Sequence, residues 1–178
     1  MIVTERLSVR SWRDEDVASF HAMNQDPEVI RFLYDEPPTI GEVGSLVERL
    51  RGYERDGGRT FWAIERLDTG EFVGFCGVKP GPAGTPIEGA PEIGWRIARP
   101  HWRCGFAHEA ARACLDHAWA DRLPEVAAIT VPENRPSRAL MEKLGMRRDP
   151  AGDFDHPGLP PGHRLARHVL YRIQRPAA

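Results

Sequence analysis

The stretch from Pro91 to His117, PEIGWRIARPHWRCGFAHEAARACLDH, constrains the fold more than any other part of the chain. Ile93, Trp95 and Ile97 alternate along a short apolar strand, Gly105 makes a turn, and a helix follows with a face of mostly small residues, Ala107, Ala110, Ala111, Cys114, Leu115 and Ala118. The period of two predicts the strand, and the small-residue face predicts a helix lying close on a sheet. A strand that turns through glycine into a helix exposes backbone N–H groups. The first four of them have no intrahelical acceptor, and the macrodipole puts positive charge beside them. Such a turn suits an anion, and the first reading is the pyrophosphate of a nucleotide-like cofactor.

The segments on either side supply a sheet and its helices. Thr4 to Ser11 alternates, Leu7 and Val9 against Arg6, Ser8 and Arg10, which predicts a half-buried strand. Asp14 is expected to cap a helix carrying Val17, Phe20 and Asn24 on one face, and Asp26-Pro27 to start a short helical piece over Glu28 to Leu33. Thr39 and Glu42 form a capping box ahead of Val43, Leu46, Val47 and Leu50, so a helix is predicted to about Asp56, ended by Gly57-Gly58. Thr60 to Arg66 and Glu71 to Val78 read as a hairpin. Pro80 to Pro91 reads as a loop, and Val126 to Val131 as a compact strand. Asn134 is placed to cap a helix with Leu140, Met141 and Leu144 on its buried side, Ser137 to reach back to it, and Gly145-Met146 to close it in a Schellman turn. Asp149 to Arg167 is expected to be a long loop, and His168 to Ile173 the last strand.

Composition narrows the class. A chain of 178 residues with 41% hydrophobic content suits one domain over residues 1–178. The formal net charge of −2 gives no basic footprint for nucleic acid. Three cysteines, Cys76, Cys104 and Cys114, show no CxxC spacing, and no long apolar run is present. A cytoplasmic protein with no metal and no membrane contact is the expectation. His156, His163 and His168 share no ligand spacing, and Cys104 has no evident base that would make it a nucleophile.

A Rossmann unit would carry GxGxxG after its first strand, whereas Gly105 stands alone past the middle of the chain. The run Ile97-Ala98-Arg99-Pro100-His101-Trp102-Arg103-Cys104-Gly105-Phe106-Ala107 resembles instead the acyl-CoA loop of the GCN5-related N-acetyltransferases (GNAT), whose core is [Gln/Arg]-x-x-Gly-x-[Gly/Ala]. Gly105 and Ala107 match its small positions, and Trp102 stands where Gln or Arg is usual. With Glu92-Ile93-Gly94-Trp95 and Asn134-x-x-Ser137, the chain looks like the branch that acetylates ribosomal-protein N-termini, the RimJ/RimL type. The resemblance implies an α/β (α+β) fold: a mixed, mostly antiparallel twisted sheet with helices on both faces, whose two central parallel strands splay apart to admit pantetheine. It also implies acetyl-CoA as donor, an amine as acceptor, a homodimer as one possible assembly, and direct attack in a ternary complex.

The site residues follow from that resemblance. Backbone groups of Trp95 and Ile97 would bind the pantetheine amides, and N–H groups from Arg103 through Cys104, Gly105, Phe106 and Ala107 to His108 would hold the pyrophosphate. Cys104 replaces the usual Arg or Lys, for which Arg103 compensates. Asn134 would orient the cofactor and Ser137 protonate the leaving thiolate. Amine acetylation requires a neutral amine, so a carboxylate near the splay is wanted as base, and Glu92 is the first candidate. Asp153, Asp155 and His156 form a second cluster for the acceptor amine. Each has a plainer alternative: a strand end at Gly105, a helix cap at Asn134 and Ser137, an ion-paired Glu92 with Arg96 beside it, and a solvated turn at Asp153 to His156. A non-catalytic acyl-CoA-binding module remains the rival to an enzyme.

Overall fold

The apolar runs pair into a nine-stranded sheet. The computed structural model describes residues 1–177, and its strand order is β1 (Ile2–Val3), β2 (Leu7–Arg10), β3 (Phe61–Arg66), β4 (Phe72–Pro80), β5 (Pro91–Ile97), β6 (Glu125–Thr130), β9 (Arg167–Gln174) and β7 (Arg147–Arg148), with β8 (Phe154–Asp155) also paired to β9. Every neighbouring pair is antiparallel except β5 and β6. That exception is the important one. β5 pairs with β4 at seven positions and β6 with β9 at six, yet β5 meets β6 only at Glu92 and Ala127. Beyond that point β5 runs on to Ile97 and β6 to Thr130 without pairing, so the strands splay.

Alternation along the strands sends two sets of side chains to opposite faces. Leu7, Val9, Trp62, Ile64, Ile93, Ile97, Val126, Ala128, Val169 and Tyr171 face α4 (Phe106–Ala120) and α5 (Arg135–Lys143) in one continuous core. Ala110, Ala111, Cys114 and Ala118 let α4 lie against the sheet, as the small-residue face predicts. The opposite face holds two separate clusters. Phe20, Met23, Val43, Val47, Leu50, Ala63 and Phe75 join α1 (Asp16–Asn24), α2 (Pro27–Ile30) and α3 (Ile40–Gly57) to β3 and β4, while Ile87 covers Ala127 and Leu170. The β5–β6 seam runs between these clusters.

The local start and stop signals work as read. Thr39 and Glu42 form the reciprocal capping box, Gly58 closes α3 in the left-handed region, and Asp26 caps α2. Gly145 (φ 89°) and Met146 close α5, their N–H groups donating to the carbonyls of Glu142 and Met141, both at 3.0 Å.

Four expectations need correction. Asp14 caps nothing: its carboxylate takes Arg51 at 2.7 Å, and α1 starts without a side-chain cap. β2 is buried on both faces, because Arg10 on its polar side is covered by the ion pair it forms with Asp16. The helical piece after Asp26 ends at Ile30, short of Leu33. Asp149 to Arg167 is not one long loop, since β8 lies inside it; the many Pro, Gly and His residues hid a two-residue strand whose pairing is set by β9.

Candidate functional site

The open end of the β5–β6 seam gathers the candidate residues. Ala98, just past β5, donates its N–H to Val73 in β4 at 2.8 Å, so alternation turns the amides of Trp95 and Ile97 away from β4 and into the gap. The Ile97 carbonyl already accepts the indole N–H of Trp102 at 2.7 Å. Trp102 therefore ties down the end of β5, and of the two Ile97 backbone groups the N–H is the one left for a ligand.

After Trp102 the backbone curls through two left-handed residues, Arg103 (φ 62°) and Gly105 (φ 85°), into α4. The first bond within α4 runs from the Glu109 N–H to the Gly105 carbonyl at 3.1 Å. The N–H groups of Phe106, Ala107 and His108 precede it and have no acceptor among the described residues, an arrangement suited to an anion. Cys104 is exposed in the same curl. Burial, with Lys143 and Arg112 nearby, pushes the His108 imidazole below its ordinary pKa.

A clip that sequence reasoning missed fixes this loop. The Arg6 guanidinium donates to the Cys104 carbonyl at 3.0 Å, pairs with Glu109 at 2.5 Å and lies 4.7 Å over the Phe106 ring. Glu109 also accepts from the Thr4 hydroxyl at 2.6 Å and the Arg6 N–H at 3.0 Å. Burial opposes ionisation of Glu109, but these donors outweigh it and hold its pKa below the usual value. The one sequence signal was an acidic residue in the first turn of a helix meant to receive an anion. Arg6 cancels that charge.

Across the gap, Asn134 uses both ends of its amide. Its Oδ1 accepts the Ser137 N–H at 3.3 Å, and its Nδ2 donates to the Thr130 hydroxyl at 3.0 Å, so it caps α5 and holds the end of β6. The bond to Ser137 thus runs from its backbone, not its side chain, and the hydroxyl has no partner among the described residues. Near this open end lies a cavity of about 620 Å³ bordered by Phe32, Trp102, Pro132 and Pro136, with Arg31 and Arg135 at its edge.

Glu92 sits at the seam's apex, opposite Ala127, and is buried. Its partner is Lys79 on β4, at 2.6 Å, rather than Arg96. Burial pushes its carboxyl above the ordinary glutamate value, and Lys79 pulls it part of the way back. Asp153 is drawn elsewhere: it pairs with Arg148, faces Arg167 at 3.9 Å and accepts the Leu170 N–H at 3.4 Å. Asp155 is exposed against Arg167. His156 packs on His168, ring centroids 5.2 Å apart. His168 donates from Nδ1 to the Ala166 carbonyl at 3.0 Å, which leaves Nε2 with its lone pair, and alternation with Leu170 puts it on the same face as Ala127 and Glu92. Of the second cluster, the histidine lies on the side where Glu92 points, and the two aspartates serve the β8–β9 scaffold.

Comparison with known proteins agrees with this geometry. Residues 6–147 match the family model described as acetyltransferase (GNAT) domain. The uncharacterized protein YkkB of Bacillus subtilis (strain 168) is 38% identical over 152 residues, covering 82% of this chain and 84% of that protein. Among solved structures, an acetyltransferase from Agrobacterium tumefaciens str. C58 superposes with a TM-score of 0.78 at 26% identity, covering 97% of this chain and 93% of its own. Mycobacterium smegmatis RimJ in complex with CoA-disulfide shares the fold at a TM-score of 0.75 and 24% identity, covering 94% and 81%. No helix among the described residues is long and apolar enough to cross a membrane. Both the splayed seam and the Gly105 curl fall inside the matched span, and the chain belongs to the GNAT family of acetyl-CoA-dependent N-acetyltransferases.

Proposed function

We propose that the protein transfers an acetyl group from acetyl-CoA to a primary amine, by direct attack in a ternary complex assembled at the β5–β6 seam. The observation that carries this reading is the single paired position, Glu92 with Ala127, after which the amides of Trp95 and Ile97 face an open gap leading to the curl at Gly105. An extended group with two amides fits such an edge as an added strand, and a pyrophosphate following it fits the N–H groups from Arg103 to His108. Acetyl-CoA supplies the activated thioester; the chain orients it and handles protons. Asn134 holds the β6 side of the entrance, and the Ser137 hydroxyl is available to the leaving sulfur.

The ammonium acceptor first gives one proton to Glu92, whose buried carboxylate is a stronger base than a solvated glutamate. The amine lone pair then forms the C–N bond at the thioester carbonyl, and the C–S bond breaks. The second amine proton reaches the sulfur through Ser137, which gives its own hydrogen and takes the amine's. No acetyl-enzyme forms. Thiol release from acetyl-CoA across an amine panel, scored by product mass, tests the reading. Acetylated amine is expected, with no acetylated protein when the acceptor is left out. Tight CoA binding with no turnover on any amine, or a trapped acetyl-enzyme, would overturn it.

A further inference from the structure

Arg96 is a half-buried charge on the acceptor side that nothing else in the mechanism uses. It stands on β5 two residues past Gly94 and four past Glu92, so all three face the same side, in the stretch where β5 has left β6. Its guanidinium lies among three rings, 5.6 Å from Phe20, 5.2 Å from Tyr34 and 5.3 Å from Phe75. Its hydrogen bonds among the described residues go to neutral oxygens only: Asn24 Oδ1 at 2.5 Å and the Tyr34 hydroxyl at 3.4 Å. Its Nε is buried with no hydrogen-bond partner among the described residues. Asn24 is itself completely buried, and its Nδ2 donates to the Phe20 carbonyl at 2.8 Å, which locks Oδ1 toward Arg96.

This is an unusual way to hold an arginine. Arg10 has Asp16 and Glu65, Arg148 has Asp153, and Arg172 has Glu125 and Asp149; Arg138 shares with Arg96 the use of neutral oxygens, but it lies on α5, away from the Glu92 face of β5. Glu92, the nearest acid along the strand, is already matched by Lys79. On the face where the acceptor must sit, Arg96 therefore has no carboxylate partner among the described residues, is held by Asn24 and the rings, and remains partly exposed. A second cation on the acceptor would be repelled there. A carboxylate would complete the planar fork of donors.

We propose that Arg96 selects the acceptor, and that the acceptor is a small amine bearing a carboxylate beside the amino group, an amino-acid-like molecule rather than a polyamine or a protein N-terminus. The proposal rests on the acetyl-transfer reading above. It is tested with matched acceptors: L-amino acids, their carboxamides, their decarboxylated amines, and spermidine. The wild-type enzyme should favour the free acid over its amide by about tenfold or more in kcat/KM, the discrimination expected of a charge-assisted hydrogen bond. Arg96→Gln should bring that ratio to within about threefold of unity, with the larger loss falling on the free acid. Preference for spermidine or the amides, or an equal loss on acid and amide in the variant, overturns the proposal. If Arg96→Gln fails to fold, the wild-type ratio alone decides. If no amine is turned over, the transfer reading fails by itself; titrating N-acetyl amino acids and N-acetyl amides onto the CoA complex then decides the role of Arg96, equal affinity counting against it.

Discussion

At the scale of single residues, Glu92 is buried, and its partner among the described residues is a lysine rather than an arginine fork. Burial favours the protonated carboxyl, so the folded protein holds that proton more tightly than the unfolded chain. Its contribution to stability is therefore greatest below the unfolded value, and declines as pH rises through the raised folded value. For catalysis the sign reverses, because only the ionised carboxylate accepts a proton. The acid limb of kcat should thus fall at a pH above the ordinary glutamate range of about 4.3. Glu92→Gln should remove that limb and lower turnover by roughly 10²- to 10⁴-fold, with acetyl-CoA affinity within about twofold of wild type. Running the profile with two acceptors of different amine pKa separates the limbs, since the one that stays fixed belongs to the enzyme. A fixed acid limb surviving in Glu92→Gln would move the base to another group, of which His168, with its open Nε2 on the same face, is the nearest in kind.

At the scale of elements, the curl that precedes α4 is set by partners far away in sequence. Arg6 in the N-terminal segment reaches the Cys104 carbonyl and Glu109, and so fixes where the Phe106, Ala107 and His108 amides point. Arg6 is nearly half exposed, which limits its share of global stability. Arg6→Met should therefore raise the KM for acetyl-CoA about three- to tenfold with kcat nearly unchanged, and shift Tm by only about 2–4 °C, consistent with a loss near 1 kcal/mol. Loss of kcat with an unchanged KM would mean that the clip serves the chemistry and not the loop. The clip also shows what the sequence exposes and what it hides. Thr39 with Glu42, and Gly145 with Met146, were legible because donor and acceptor lie within a turn of each other and no register intervenes. The Gly105 curl was legible because a lone glycine between a strand and a small-faced helix has few other uses. Asp14 was misread because an arginine on α3 outcompetes the local N–H group for its carboxylate. Lys79 with Glu92, Asn24 with Arg96 and Arg6 with Glu109 were invisible for one shared reason: sheet register or helix packing makes these pairs, and neither is encoded by spacing along the chain.

At the scale of the whole molecule, one face is a continuous core and the other is divided along the seam, so the helices on the divided face must be held by something besides apolar contact. Phe20 and Met23 anchor α1 on β4, and a buried ion pair fixes its start. Arg10 on β2 grips both oxygens of Asp16, at 2.7 and 2.9 Å, and also bonds Glu65 on β3 at 2.7 Å. Asp16 further accepts the Arg13 N–H at 2.7 Å. Burial alone would raise the Asp16 pKa, but the Arg10 and Arg13 bonds outweigh it and hold it below the usual aspartate value. Removing Asp16 leaves the buried Arg10 with Glu65 as its carboxylate, so the loss lies at the lower end of what breaking a buried pair costs, about 3 kcal/mol against a total stability of about 5–15 kcal/mol. Asp16→Asn should accordingly lower Tm by about 6–12 °C. The pH dependence has a definite sign. A depressed carboxyl stabilises fully above its unfolded value, about 3.9, and loses that contribution as pH falls through the folded value. Wild-type stability should drop steeply below about pH 4, and Asp16→Asn should show a shallower drop from its lower starting point. Because α1 also carries Asn24, the variant's surviving activity at low temperature should show weakened discrimination between acid and amide acceptors, as a displaced Asn24 releases Arg96. A Tm within about 3 °C of wild type, with the same acid slope, would show that the Arg10 pair is replaceable and that apolar contact alone holds α1 over the seam.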